Sequence, residues 1–439
     1  MSRNRKLCVL VLVAIVTLGL FASIGSAQEK VKLTFWHWWG VDREPLMEKM
    51  VSEFTETYPW IEVEHVVQPW DRREERVLTA FAGGQPPDVI MAQRYEIPQY
   101  VAKNLIIPID GYIEKHNVDL DMFYESEIGS FIIDGKVWTL PMPTGGATRY
   151  ILIYNKDIFA EVGLPDRAPE TWQEVYEWSE KLTIRNDDGS LKRIGINMSG
   201  PNLFLPLLYS NNGRYLSDDM KTILWNSPEG LATLKFMAEH TINVNGGPEN
   251  VTGFYADTSG EAANAPFYTG VECMAWHNVS VFFHIQNLAP NLNYGVGIMP
   301  YNADNPSAEG HGVVTDGWGY VIPKAVPEEK REAAFLFVDW LTTKEQAAGW
   351  FMMQQMRPSP VKAFNENPKY WEINPNWDTV IKSLEADVSI PLSPSFLEIQ
   401  DVINQMVELA TYGRMTPEEA LAWGAEEAQN VVDDFWFFQ

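Results

Sequence analysis

Cysteine is nearly absent from this 439-residue chain. There are two, Cys8 and Cys273, and only Cys273 lies outside the N-terminal leader described below, so the body of the protein cannot form an internal disulfide. Positive charge is also scarce. Thirty-three Lys and Arg face 59 Asp and Glu, a net charge of −26 that argues against nucleic acid and anionic membrane surfaces as partners. No GxxxxGK[ST], GxGxxG or GxSxG occurs, which speaks against P-loop, dinucleotide and α/β-hydrolase chemistry. The seven histidines form neither HExxH nor a close pair at helical spacing, so neither a zinc site nor any cofactor is expected. Internal repeats, low-complexity tracts and long Gly/Ser linkers are missing too.

Residues 1–27 read as a secretory leader. Arg3, Arg5 and Lys6 form a basic start, Leu7 to Ile24 is apolar, and Gly25-Ser26-Ala27 supplies small residues for cleavage before Gln28. Retention of this segment as a membrane anchor is the alternative. A lipoprotein signal would need a cysteine at the cleavage point, and Cys8 sits too early. The leader carries three positive and no negative side chains, so its removal takes the net charge from −26 to −29. An exported chain without a disulfide must be held by its core, and this length supplies one or more.

The body alternates strand and helix patterns. Val31, Leu33 and Phe35 alternate with Lys32 and Thr34 as in a strand. A helix follows with Leu46, Met47, Met50, Val51, Phe54 and Tyr58 on one face, stopped by Pro59. Ile61, Val63 and Val67 mark a second strand, Asp71 to Ala82 a second helix capped by Gly83-Gly84, and "PPDVIM" a third strand. A β-α-β-α-β run of this kind predicts a parallel sheet flanked by helices. Further strands are expected at 136–140, 149–154, 293–299 and 318–322. Thr171 to Glu174 and Thr416 to Glu419 spell capping boxes at helix starts, and Ser227-Pro228 opens another helix. Long helices are expected at 327–341, 395–412 and 417–435. The pattern breaks off and resumes without a linker, which suggests two α/β lobes, several chain crossings and a cleft between them.

Aromatic residues are what the chain has in excess: 17 Trp, 17 Tyr and 21 Phe. Several tryptophans fall where strands end. Trp36, His37, Trp38 and Trp39 close the first strand, Trp276, His277 and Asn278 follow "VECMA", and Trp318 follows Asp316-Gly317. In α/β sheets, ligands gather beyond the carboxyl ends of strands. An indole face covers the apolar face of a sugar ring, while nearby polar side chains bond its hydroxyls. Trp60, Trp172, Trp178, Trp225, Trp340 and Trp350 sit in helical or flanking contexts and read as core. The Asn-Asp-Asp-Gly run at 186–189 reads as a turn, not a calcium loop.

Taken in order, nine segments resemble the family 1 extracellular solute-binding proteins, the carbohydrate-binding subunits of ABC importers, of which the maltose-binding proteins are familiar members. They are "LTFWHWWG", "FTETYPWIEVE", "LTAFAGGQPPDVIM", "YILIYNKDIFAEVGLP", "PETWQEVYEWSEKLT", "FYTGVECMAWHN", "GWGYVIPK", "FLFVDWLTTKEQA" and "TPEEALAWGAEEAQNVV". The resemblance implies an α/β fold of the two-lobe, type II periplasmic binding protein class, each lobe a sheet flanked by helices, with a hinge and an interlobe cleft. It places lobe 1 at 28–141 and 300–352 and lobe 2 at 142–299 and 353–439. It implies capture of an oligosaccharide in the cleft and delivery to the membrane permease subunits of an ABC transporter, by an exported monomer that is not an enzyme. The ligand-contacting positions it implies are Trp36, His37, Trp38, Trp39, Gln93, Arg94, Trp276, His277, Asn278, Asp316 and Trp318, with Trp70, Arg149 and Arg357 as further candidates. A carbohydrate-active enzyme and a binding protein for a non-sugar solute remain the alternatives. A uronic acid ligand would bring Arg94, Arg149 and Arg357 to the fore.

Overall fold

The computed structural model describes residues 30–40, 43–142, 150–258, 265–310, 312–314, 317–385 and 387–437. The leader, Arg149 and Asp316 lie outside the described residues. The chain runs β1 (Val31–His37), α1 (Glu44–Thr57), β2 (Ile61–Val67), α2 (Arg73–Ala82) and β3 (Val89–Gln93), the predicted order. There follow β4 (Ile151–Asn155), α3 (Trp172–Leu182), β5 (Met274–His277), α4 (Val281–Leu288), β6 (Tyr294–Gly297) and β7 (Trp318–Val321). The later helices include α5 (Glu328–Thr343), α6 (Trp350–Gln354), α7 (Phe396–Thr411) and α8 (Pro417–Phe437). The strand expected at 136–140 shrinks to Lys136–Val137, paired with Ile132–Ile133 across a turn.

The first sheet has the order β7-β3-β1-β2. β1 pairs in parallel with β2 and β3, and β7 closes the edge antiparallel to β3, Trp318 opposite Gln93. Asp88, the acid of "PPDVIM", fixes the β1–β3 junction by accepting from the Thr34 amide at 2.8 Å and the Thr34 hydroxyl at 3.2 Å. Leu33, Phe35 and His37 are fully buried on one face of β1, as period-2 alternation requires. The Phe35 ring meets Phe337 of α5 edge-on at 5.2 Å, and Phe337 meets Phe54 of α1 at 5.0 Å. Trp340 of α5 donates its Nε1–H to the Met50 carbonyl at 3.1 Å, tying α5 to α1.

The second sheet is antiparallel, with β4 between β6 and β5. All five β4 residues are buried because both its faces are covered. Leu152 and Tyr154 face one core with Trp172, Phe204 and Met274. Ile151 and Ile153 face another with Tyr370 and Trp377, whose rings stack 3.9 Å apart. The first core draws on residues 31–142 and 318–364, the other two on 150–299 and on 353–432 together with Tyr95, so the chain supplies each sheet from separated segments.

Local signals explain the helix ends. At the end of α2 the Gly84 N–H reaches the Phe81 carbonyl and the Gln85 N–H reaches the Ala80 carbonyl. That is a Schellman cap, and the left-handed residue it needs is Gly84 (φ 67), not Gly83. α2 starts at Arg73 instead of Asp71 because Arg72 sits at φ 54 and breaks the helical path. The second capping box closes in both directions: Glu419 N–H donates to Thr416 Oγ1 and Thr416 N–H to the Glu419 carboxylate. In the first, the Thr171 hydroxyl accepts from Glu174 N–H, while the Glu174 carboxylate accepts from the Glu170 amide.

Two stability predictions follow from this packing. Phe35→Ala should cost about 3–5 kcal/mol, measured by denaturant unfolding, because the ring is enclosed on all sides. Glu272, just before β5, is buried with the Tyr255 hydroxyl donating to it at 2.7 Å, and burial raises its carboxyl to about 7. A folded-state value above the unfolded one favours the folded state below pH 4.5, and that advantage is lost as pH rises towards 7. Glu272→Gln should therefore melt higher than the parent at pH 8, with the gap closing by pH 4.5.

Candidate functional site

The Trp-His-Trp-Trp tetrad is divided by the strand that carries it. His37 is fully buried, 3.1 Å from Nδ1 of His65, and burial together with His65 lowers its imidazole to about 3, so it stays neutral. Trp38 is buried with its Nε1–H on the Met91 carbonyl of β3 at 2.8 Å. Trp39 is buried flat against Phe351 of α6, the rings 4.7 Å apart at 15°. The structure thus places these three in the core instead of at a cleft lip. Only Trp36 is half-buried, on the other face of β1.

A second aromatic group stands at the carboxyl ends of the first sheet. Trp70 follows β2 and is 59% exposed. Its ring lies 5.8 Å from that of Trp318, which opens β7 beside the last residue of β3. The Arg73 guanidinium stands 4.3 Å from the Trp70 ring and 5.4 Å from that of Trp318. Arg73 itself is only 2% exposed. It donates to Gln93 Oε1 and to the Tyr95 hydroxyl, and pairs with Glu74 and Glu96. Burial raises the Glu96 carboxyl to about 7 against the opposing pull of Arg73, while the Gln93 amide donates to Glu96 at 2.6 Å. This network locks α2 onto the β3 end and holds both indoles in place from behind. Arg73 and Tyr95 escaped sequence reasoning. Arg73 is hidden in the "DRREER" run, where nothing marks one arginine of three as inward-facing.

Arg94 bridges segments far apart in sequence. It is buried and donates to Ser389 Oγ at 2.6 Å and the Ile390 carbonyl at 2.7 Å. Beside it the Tyr95 ring stacks on Phe396, which belongs to the second core. Arg94 thus ties the end of β3 in the first sheet to a segment that packs in the second core. Arg357, after α6, is buried, and Arg43 is its charged neighbour.

At the end of β5, Trp276 and His277 are half-buried. The Trp276 Nε1–H is buried with no acceptor, a rare state for an indole donor. Burial, with His284 nearby, lowers His277 to about 4. Asn278 turns its Oδ1 back to the Ser280 amide at 2.9 Å, a local turn contact. The arrangement offers ring faces, hydrogen-bond donors and acceptors at strand ends. Among the described residues there is no cluster of His, Cys, Asp or Glu that could hold a metal.

A family model described as bacterial extracellular solute-binding protein matches residues 40–348. The chain belongs to the bacterial extracellular solute-binding proteins. Among its relatives in this family, the sn-glycerol-3-phosphate-binding periplasmic protein UgpB of Shigella dysenteriae is 24% identical, over 95% of this chain and 96% of that one. The structure superposes on an ABC substrate-binding protein of Listeria monocytogenes in complex with cycloalternan, with TM-score 0.77 and 23% identity, covering 91% of this chain and 98% of that one. It also matches the maltose-bound MalE3 of T. maritima, with TM-score 0.75 and 24% identity over 91% and 100% of the two chains. Like other extracellular solute-binding proteins, this one has the two-lobe α/β fold. No helix among the described residues is long and apolar enough to cross a membrane.

The division of the tetrad has a measurable consequence. Trp38→Phe keeps an aromatic ring, though a smaller one, and removes the bond to the Met91 carbonyl. It should cost about 1–3 kcal/mol in unfolding free energy, with the carbonyl left buried, and leave solute affinity unchanged.

Proposed function

We propose that the protein captures a saccharide, built from more than one ring, between its two lobes and passes it to the permease of an ABC importer. The observation that carries this is the Trp70–Trp318 pair at the sheet's carboxyl edge, propped by Arg73 and left partly open to solvent. Two indoles 56° apart present two faces, which suits successive rings better than one. Trp276 adds a donor that a sugar hydroxyl would satisfy, and Trp36 and Gln93 lie on the same edge of the first sheet as Trp318. Arg149 and Asp316 belong to the same proposal through the family resemblance alone. The solved relatives with cycloalternan and maltose favour a saccharide.

The lobes proposed are 28–141 with 300–352 and 142–299 with 353–439. The division of the cores supports them, except that Met142, Val361 and Phe364 pack into the first core and Tyr95 packs against the second. Capture would close the lobes about the crossings near 141–144, 299–301 and 353–357, since a ligand shifts the hinge only by binding the closed state better. The protein works as an exported monomer and returns its ligand chemically unchanged.

A thermal-shift screen of the chain from Gln28 onward against an oligosaccharide library should find a ligand that raises the melting point by mass action. That ligand should change tryptophan fluorescence and be recovered intact after prolonged incubation. Trp318→Ala should weaken its binding about tenfold or more, from the loss of an aromatic face worth on the order of 1.5 kcal/mol. Unaltered affinity in this variant would remove Trp318 from the site, and hydrolysis of the ligand would overturn the binding-protein reading.

A further inference from the structure

Arg357 is a buried cation that pairs with no carboxylate among the described residues. The residue is 5% exposed, and its Nε is buried without a hydrogen-bond partner. Among the described residues no carboxylate pairs with its guanidinium, and the charge that acts on it is another arginine, Arg43. Its backbone is pinned on both sides: the N–H donates to the Met352 carbonyl at 3.0 Å, and the carbonyl accepts from the Tyr370 hydroxyl at 3.0 Å. The preceding residue, Met356, holds φ 52, a left-handed conformation that a non-glycine side chain adopts at a cost. The chain therefore fixes the base of the Arg357 side chain at one spot.

The surroundings belong to the lobe junction. Arg43 lies in the connection from β1 to α1, with its guanidinium carbon 5.7 Å from the Trp39 ring of the first core. The same carbon is 4.9 Å from the ring of Phe283 in α4, the helix that follows β5 of the second sheet. Arg357 itself leads from α6, which packs in the first core, to Tyr370, which packs in the third. Arg43 thus stands between Trp39 of the first core and Phe283 after β5, within electrostatic reach of Arg357, and of the two it is the Arg357 side chain that has no partner among the described residues. An arginine cannot shed its proton to escape such burial. A buried unpaired charge is strongly unfavourable unless something of opposite sign completes it.

We propose that Arg357 docks an anionic group of the solute, a carboxylate or a phosphate, so that the physiological ligand is an acidic saccharide. The planar fork of a guanidinium matches both oxyanions. The proposal rests on the reading of the protein as a cleft-capturing solute binder and narrows the solute's chemical class.

Isothermal titration of the chain from Gln28 onward tests it with three probes: trigalacturonate for the carboxylate arm, sn-glycerol 3-phosphate for the phosphate arm, and maltotriose as the neutral control. One acidic probe should bind, and its chemistry names the source of the anion. Arg357→Gln should weaken that probe about 30-fold or more, as expected when one partner of a buried charge pair is removed. Arg357→Lys, which keeps the charge but not the fork, should fall between. The ligand-free melting point of Arg357→Gln should be equal to or above that of the parent, because an uncompensated charge has gone. A lower one marks Arg357 as structural and overturns the proposal. Acidic-probe binding that survives Arg357→Gln also overturns it, as does binding of maltotriose alone, although capture of a saccharide then stands. If none of the three binds, this inference is overturned, while the capture reading is decided separately by the oligosaccharide library screen.

Discussion

One chain fills the cores of two sheets by turns, and much else follows from that constraint. The first core takes its strands from the N-terminal 140 residues but needs β7 and α5, more than 170 residues later. The second sheet needs β4, β5 and β6, and its cover combines helices from 172–288 with others from the C-terminal 90 residues. Each return of the chain crosses the gap between the lobes. Short crossings with few contacts are where a hinge can move, and the rigid sheets on either side carry the residues that must meet a ligand. The contacts Arg94–Ser389 and Tyr95–Phe396 join the end of β3 to the segment that packs in the second core.

The tryptophans divide by burial together with what their indole nitrogens find; Trp225, wholly inside the second core with no acceptor for its Nε1–H, is core by enclosure alone. Trp38, Trp172, Trp340 and Trp377 each give their Nε1–H to a backbone carbonyl, which makes them core pillars. Trp70 and Trp318 are held by a cation behind their rings, which leaves area for a solute. Trp276 has a buried donor and no acceptor. A large aromatic body with an unsatisfied or partly wet polar end is the usual character of a recognition residue. Arg357 obeys the same logic with a full charge.

The sequence made the first sheet legible because its signals are local. Alternation in β1, an apolar stripe in α1 and the glycines after α2 each need only a few neighbouring residues. The second sheet was harder. β4, β5 and β6 are short, and β5 and β6 come more than 115 residues after β4, so nothing local declares their antiparallel pairing. The site was legible at the level of which loops matter. Which side chain in each loop turns outward was not, because a strand sends successive residues to opposite faces and the tetrad straddles the strand end. Trp38 in particular is decided by a carbonyl 53 residues away. Arg73 is decided by Gln93, Tyr95 and Glu96, which α2 meets only in three dimensions.

The edge strand β7 also has a bearing on how the protein comes into being. It pairs Trp318 with Gln93, so the first sheet stays one strand short until 225 further residues are available. Contacts of such long range are slow to form, since the loop must close before anything rewards it. During synthesis the N-terminal half therefore has β1, β2 and β3 available but no cover for the far side of β3. An unfinished sheet edge keeps a chain loose. In this extracellular solute-binding protein the first sheet therefore closes only when the last third of the chain, which carries β7 and α5, is available.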